Sequence, residues 1–334
     1  MTAKVSNAGI LGTGFYVPEK VITNVDLEKM VDTNDEWIIE RTGISERHVA
    51  ADDVPVSELA FRAAQLALED AGVSADELDL IIVATLTADF ATPSTACVLQ
   101  HRLGATHAAA FDLEAACSGF VYASTVASQF IGSGTYQKVL VIGAETLSKY
   151  INWEDRNTCI LFGDGAGAAV YGPVEDGYGI LSFDLGSNGT GPEVLGIPSS
   201  GSRHPVTKDM IDQKMNRIFM DGKAVFKFAI KTMGATVLRS LEKIHMDQSE
   251  IDWLVPHQAN IRIIQSAAKR LHLPMDKVVV NIQKYGNMSA ASIPVTLAEA
   301  ARAHRFKKGD IVALSGFGAG LTWGSCIMKW AKED

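Results

Sequence analysis

The 334-residue sequence has no apolar run long enough to cross a bilayer, which takes about 20 consecutive apolar residues. Its opening, MTAKVSNAGI, lacks a basic stretch followed by an apolar core, so no secretory signal is read there. Cysteine is scarce. Cys97, Cys117, Cys159 and Cys326 form no CxxC pair and no metal-ligand spacing, which excludes a disulfide scaffold and a cysteine-based metal site. Basic charge is in deficit: the net charge is −9 and the pI near 5.4. That argues against general affinity for nucleic acid, and an acidic partner would need a local basic patch. Low-complexity segments and long charge runs are absent as well. What remains is a chain of 47% hydrophobic residues and mean hydropathy +0.10, enough for a sizeable core in two domains or one double unit. The expectation is a reduced, cytoplasmic protein without membrane, nucleic acid or metal.

Strand-like and helix-like stretches alternate throughout, the pattern of α/β layers. A first strand begins at Ala8–Leu11. Thr33-x-x-Glu36 reads as a capping box opening a short helix with Trp37. Ser57 is expected to cap a helix that Gly72 ends after Ala71. Leu78–Thr85 is a buried strand, and Ser94 opens a helix ending near Gly104. The second half repeats the order. Trp253–Val255 follows Asp252 as Leu80–Val83 follows Asp79. Lys277–Asn281 reads as a strand like Ala108–Leu113, a helix spans Ser289–Ala303, and GFGAGLTWG (Gly316–Gly324) echoes GDGAGAAV. From Asp79 to Cys117 is 38 positions and from Asp252 to Asn287 is 35, so Asn287 is placed opposite Cys117, and His257 opposite Thr85–Thr87. Internal duplication decides architecture. Two similar halves, 1–174 and 175–334, would bring equivalent strand ends to one centre. Asp184 to Gly222 is aperiodic and reads as an excursion covering a site.

Cys117 stands where a short apolar run gives way to a helical pattern in AAAFDLEAACSGFVYASTVASQFIGSG (Ala108–Gly134). A thiol there faces unpaired N–H groups and the positive end of a helix dipole, both of which favour thiolate. Ala115, Ala116, Ser118 and Gly119 are small enough to admit a bulky substrate. A cysteine among alanines also fits a small core hydrophobe, and the stretch alone leaves both readings open.

Six segments together decide between them: TNDEWIIERTGISER (Thr33–Arg47), the Cys117 context, EDRNTCILFGDGAGAA (Glu154–Ala169), LVPHQANIRI (Leu254–Ile263), YGNMSAASIP (Tyr285–Pro294) and GFGAGLTWG. In this order they resemble the beta-ketoacyl-[acyl-carrier-protein] synthase III family over nearly the whole chain. The resemblance implies a thiolase-like α/β fold, two duplicated halves in five layers, α-β-α-β-α. It implies condensation of an acyl-CoA primer with malonyl-carrier protein, starting fatty-acid synthesis, with Cys117 as nucleophile and His257 and Asn287 beside it. By position, Trp37 and Arg41 would sandwich the CoA adenine, with Arg156 as a second arginine beside the adenine and Thr33 nearby. Gly222 and Phe226 would line the pantetheine tunnel, and Asn260 would bind the pantetheine arm. Acyl-CoA is expected as substrate, with no tightly bound cofactor. An acyl carrier protein is expected as partner, docking on Lys227, Arg262, Lys269 and Arg270, and the assembly is expected to be a homodimer. Thr92 would close the acyl pocket from across the dimer; its small size predicts acceptance of short branched or four- to five-carbon primers. A relative acting on other substrates in secondary metabolism, or a non-catalytic carrier-protein-binding subunit, are the alternatives.

Three positions depart from the family pattern: Ser118 for Ala, Met288 for Thr, and Ala319 for the Gly whose N–H serves the oxyanion hole. A positive φ at Ala319 would cost roughly 1 kcal/mol or more.

Overall fold

The computed structural model describes residues 7–191 and 193–333. A first sheet is built from β1 (Ala8–Tyr16), β2 (Leu80–Ala84), β3 (Ala109–Leu113), β4 (Val139–Thr146) and β5 (Asp164–Pro173), in the order β1-β5-β4-β2-β3. Strand β2 runs parallel to β3 and β4; β5 is antiparallel to β4 and β1. A second sheet contains β6 (Gly179–Ser187), β7 (Trp253–Pro256), β8 (Ile311–Gly318) and β9 (Thr322–Lys329), ordered β7-β8-β9-β6. Here β7 is parallel to β8, and β9 antiparallel to its neighbours. The second sheet therefore repeats β2-β4-β5-β1 and stops one strand short.

The missing strand is the expected Lys277–Asn281. Only one bridge forms, Leu254 to Val278, with Val279 N donating to Leu254 O at 2.9 Å. A 3-10 turn over Met275–Lys277 and a short helix from Ile282 take up both ends of the stretch, leaving too few extended residues for a ladder.

Among the described residues, seven longer helices complete the layers: α1 (Asp35–Thr42), α2 (Val56–Ala71), α3 (Thr95–Leu103), α4 (Gly119–Gly132), α5 (Gly222–Glu242), α6 (Ile261–Arg270) and α7 (Ser292–Arg302). Helices α4 and α7 lie between the sheets, where Phe120, Val121, Ile293 and Leu297 pack with Val141, Val312 and Leu314. Helices α2 and α3 cover the outer face of the first sheet with small residues such as Ala60, Ala63 and Ala64. On the second sheet's outer face, Val237 of α5 and Ile264 and Ala268 of α6 pack against Leu254 and Ala313. The result is five layers.

Two caps sit one or two residues from their expected places. Asn34, not Thr33, caps α1, accepting from Trp37 N at 2.8 Å. Helix α2 starts after Pro55, so Ser57 lies inside it, and its otherwise unpaired N–H donates to Asp89 Oδ1 at 3.1 Å. Ser94 caps α3 as expected.

Each inner helix is entered through a 3-10 turn, Ala116–Ser118 before α4 and Ser289–Ala291 before α7. The first residue of each is left-handed, Ala116 at φ 46° and Ser289 at φ 47°, a conformation that non-glycine residues adopt rarely. The turns match residue for residue, so the counterpart of Cys117 is Ala290. Asp252 to Ala290 is 38 positions, the same as Asp79 to Cys117. Asn287 instead matches Glu114, and His257, one residue past β7, matches Ala84. The 35-residue spacing was three short because the pairing started from a functional residue instead of the turn.

Candidate active site

Cys117, His257 and Asn287 line one narrow cavity of about 90 Å3, with Leu161, Phe162, Leu195, Met220, Gly222, Val225, Phe226, Ala259, Asn260, Ile263, Phe317 and Gly318. A larger cavity of about 610 Å3, lined by residues such as Asp70, Arg302 and Lys332, holds none of the three. The turn carrying Cys117 is bolted to the end of the β8–β9 hairpin. Thr322 Oγ1 donates to Ala115 O at 2.9 Å, and Ser118 Oγ donates to Thr322 Oγ1 at 2.8 Å. Ser118 therefore has a structural task in this chain. Gly318 lies against the same turn: a Cβ on it would fall 2.6 Å from Cys117 N.

The thiol is not a ready thiolate. Burial pushes the Cys117 pKa up to about 12, against a smaller downward effect of the neighbouring Ser289 hydroxyl. The expected help from backbone N–H is present in sign, but losing water outweighs it, and the charges of Glu145 and Glu114 push the same way as burial. His257 is buried, and burial pulls its pKa down to about 3, so its imidazole is neutral. Its backbone N–H donates to Ser315 O at 2.7 Å. Its ring stands edge-on to Phe317, centroids 5.6 Å apart, and neither ring nitrogen has a hydrogen-bond partner. Two idle nitrogens in a buried ring are costly unless a ligand meets them.

Asn287 is held by its backbone: its N–H donates to Leu161 O at 2.8 Å and its carbonyl accepts from Gly163 N at 3.0 Å. Its side-chain oxygen accepts from Ser289 N at 2.8 Å, which turns the amide NH2 toward the cavity. Ala319 is not among the positive-φ residues, so the expected backbone strain there does not exist. Met288 is fully buried.

Trp37 sits at the surface end of this region with Arg156 4.7 Å and Arg41 5.5 Å from its ring centroid. Arg156, which also donates to Asp32 O at 2.6 Å, lies over the ring. An adenine could enter the stack only by displacing it. The Thr33 hydroxyl is buried without a partner. Asn260 is engaged at both ends, capping α6 through Arg262 N at 2.9 Å and donating to Arg41 O at 2.8 Å, which leaves one N–H for a ligand. Arg262 extends over the Phe226 ring at 5.5 Å, and Lys227, Lys269 and Arg270 are exposed on α5 and α6. Thr92 and Phe90 are exposed, away from the cavity-lining residues. Among the described residues, no group of three or more His, Cys, Asp or Glu is placed to hold a metal, and no helix is long and apolar enough to cross a membrane.

Sequence reasoning missed much of the apolar wall. Leu161, Phe162 and Phe317 lay inside quoted motifs and could have been read as lining residues. Leu195 and Met220 come from the aperiodic excursion, which offers no pattern to read.

Comparison with known proteins is consistent with this geometry. Residues 111–189 match the family profile 3-oxoacyl-[acyl-carrier-protein (ACP)] synthase III, and residues 241–330 match its C-terminal profile. A beta-ketoacyl-[acyl-carrier-protein] synthase III of Desulfitobacterium hafniense is 58% identical over 98% of this chain and 99% of its own. The chain belongs to the beta-ketoacyl-[acyl-carrier-protein] synthase III family. A synthase III of Caldanaerobacter subterraneus is 56% identical, covering 97% of this chain and 98% of its own. The crystal structure of the Aquifex aeolicus synthase III matches with a TM-score of 0.89 at 46% identity, over 97% of this chain and all of that one. The two sheets with their shared helical layer are therefore the synthase III version of the thiolase-like fold.

Proposed function

We propose that this protein is an acyltransferase that condenses an acyl-CoA primer with malonyl-[acyl-carrier-protein], starting fatty-acid synthesis through an acyl-Cys117 intermediate. The observation that carries the reading is the neutral, unpartnered His257 sharing one narrow cavity with Cys117 and Asn287. In the first step Cys117 Sγ attacks the thioester carbonyl, its proton leaves with CoA, and the acyl group stays on sulfur. The N–H groups of Cys117 and Ala319 would receive the oxyanion. In the second step the malonyl C–C bond breaks, CO2 departs, and the electron pair moves onto the thioester oxygen. His257 and Asn287 donate hydrogen bonds to that enolate, stabilisation worth most where water is excluded. A neutral imidazole keeps one N–H to donate, and its other nitrogen is an acceptor. The carbanion then attacks the acyl carbonyl, the C–S bond breaks, and one proton from solvent restores the thiol. The balance is acyl-CoA, malonyl-carrier protein and a proton giving β-ketoacyl-carrier protein, CO2 and CoA.

CoA would enter past Trp37, Arg41, Arg156 and Thr33, its pantetheine arm running by Gly222, Phe226 and Asn260. Carrier protein would dock on Lys227, Arg262, Lys269 and Arg270, which stand on the outer sides of the two helices that line the cavity. The half-buried strand β3, unpaired along one side at the sheet edge, and the 57% exposed Phe90 favour a homodimer, with Thr92 reaching the partner's acyl pocket. The two halves divide at residues 174 and 175, and the enzyme works in the cytoplasm. The test separates half-reactions: His257→Ala and Asn287→Ala should still acquire an acyl group from acyl-CoA but lose malonyl decarboxylation by roughly 100-fold or more. Loss of acylation with normal decarboxylation would reverse the assignment.

A further inference from the structure

Arg47 is wholly buried, yet among the described residues no carboxylate hydrogen-bonds or pairs with it, and Glu46 acts on it only at longer range. Its guanidinium donates to three neutral oxygens: Nη2 to Ile160 O at 2.7 Å, and Nη1 to Asn24 Oδ1 at 2.9 Å and Ile22 O at 3.1 Å. Nε has no partner. Burial lowers its pKa only to about 10, so it remains a cation at neutral pH. Burying an unpaired charge is expensive, and an apolar side chain of similar volume is often the more stable choice. Packing alone does not account for the arginine.

What it holds is the segment that holds Asn287. Ile160, whose carbonyl Arg47 grips, is one residue before Leu161 and three before Gly163, and these two make both backbone hydrogen bonds to Asn287. The stem of Arg47 also lies beneath both strands of that contact. A Cβ on Gly163 would come 3.2 Å from Arg47 Cβ, and one on Gly286 would come 3.5 Å from it. Gly286 itself has φ +64°, which a side chain would strain. The other arm of the fork reaches Asn24, whose NH2 donates to Ile44 O at 2.8 Å and to Asp35 Oδ1, the first residue of α1, at 2.9 Å.

We infer that Arg47 is a positioning residue for Asn287, acting through the Ile160–Gly163 segment to aim the Asn287 amide at the enolate. A lysine cannot replace it, because one ammonium group cannot span the carbonyl of Ile160 and the amide of Asn24 in the geometry of a rigid fork. The inference rests on the role proposed for Asn287, so the experiment follows both residues. Arg47→Lys, Asn287→Ala and the double variant are compared for malonyl-carrier-protein decarboxylation and, separately, for acylation of Cys117 by acyl-CoA. Arg47→Lys should lower the kcat of decarboxylation roughly 10- to 100-fold, leave its KM within about twofold, and leave acylation nearly intact. The double variant should be no slower than Asn287→Ala, since a residue that acts through another adds nothing once that partner is gone. A further, independent loss in the double variant, or equal losses in both half-reactions, overturns the inference while leaving the role of Asn287 standing. A normal decarboxylation rate in Asn287→Ala would overturn the role of Asn287 and the inference with it. Should Arg47→Lys fail to fold, Asn24→Ala, which removes one acceptor of the fork, must show the same split in weaker form.

Discussion

Substituting Gly318 by Ala puts a single methyl group against the nucleophile's turn. The new Cβ would lie 2.6 Å from Cys117 N, 3.0 Å from Ala116 Cβ and 3.2 Å from Cys117 Cβ. Carbon–nitrogen contact needs close to 3.4 Å, so something must move by about 0.8 Å. Gly318 cannot retreat easily, because it is the last paired residue of β8, opposite Thr322 of β9. Thr322 is in turn hydrogen-bonded to Ala115 and Ser118. The displacement therefore falls on Cys117. Overpacking of this kind costs about 1–3 kcal/mol of stability, and a shift approaching 1 Å at a reacting atom costs up to about 100-fold in rate. Gly316→Ala is the control: its nearest contacts would be 3.2 Å, to Cys117 O and Ile293 Cδ1, so its neighbours need yield only a few tenths of an ångström. The assay is single-turnover acylation by acyl-CoA, followed by intact mass, with thermal melts beside it. Gly318→Ala should acylate roughly 30- to 100-fold more slowly while still melting cooperatively; Gly316→Ala should stay near the wild-type rate. Equal acylation rates in the two variants would refute the packing argument.

Two further outcomes follow from buried and exposed groups respectively. Burial raises the pKa of Glu145 from 4.5 to about 7, although Thr87 Oγ1 donates to it at 2.7 Å. The protonated form suits the fold, so stability should fall as pH rises from about 4.5 to about 7, by up to roughly 3 kcal/mol at about 1.4 kcal/mol per unit. Glu145→Gln should flatten that decline in urea unfolding compared at pH 5 and pH 8; parallel curves for the two proteins would contradict it. For the primer, Thr92→Phe should reduce kcat/KM for butyryl- and isobutyryl-CoA by roughly 10- to 200-fold while sparing acetyl-CoA, and a uniform loss across primers would remove Thr92 from the acyl pocket.

The motifs around Cys117, His257 and Asn287 made these three cavity-lining residues legible, each within a distinctive local sequence, and Asn260 stood in the same LVPHQANIRI segment. The duplication was legible in outline and misaligned in detail: counting from Asp252 to Asn287 hid the 38-residue match to Ala290. The strand at Lys277–Asn281 had the right composition, but neighbouring turns consumed its ends, and no local pattern shows that. The sequence placed N–H groups beside the Cys117 thiol, whereas the depth of burial and the nearby Glu145 that push its pKa up were not visible there. Arg47 illustrates the same limit. It was inside a quoted motif, yet one arginine in TGISER shows neither that it is buried nor that its partner carbonyl, at Ile160, lies far away in sequence.

The central claim is that acyl groups pass through Cys117. Purified protein is incubated with acetyl-CoA or butyryl-CoA, and the adduct is located by intact mass and peptide mapping before and after malonyl-carrier protein is added. The account predicts a single acyl group on Cys117, none on Cys117→Ser, and discharge of the adduct to β-ketoacyl-carrier protein with release of CO2. An adduct on another residue, or condensation at the normal rate by Cys117→Ser, would contradict it.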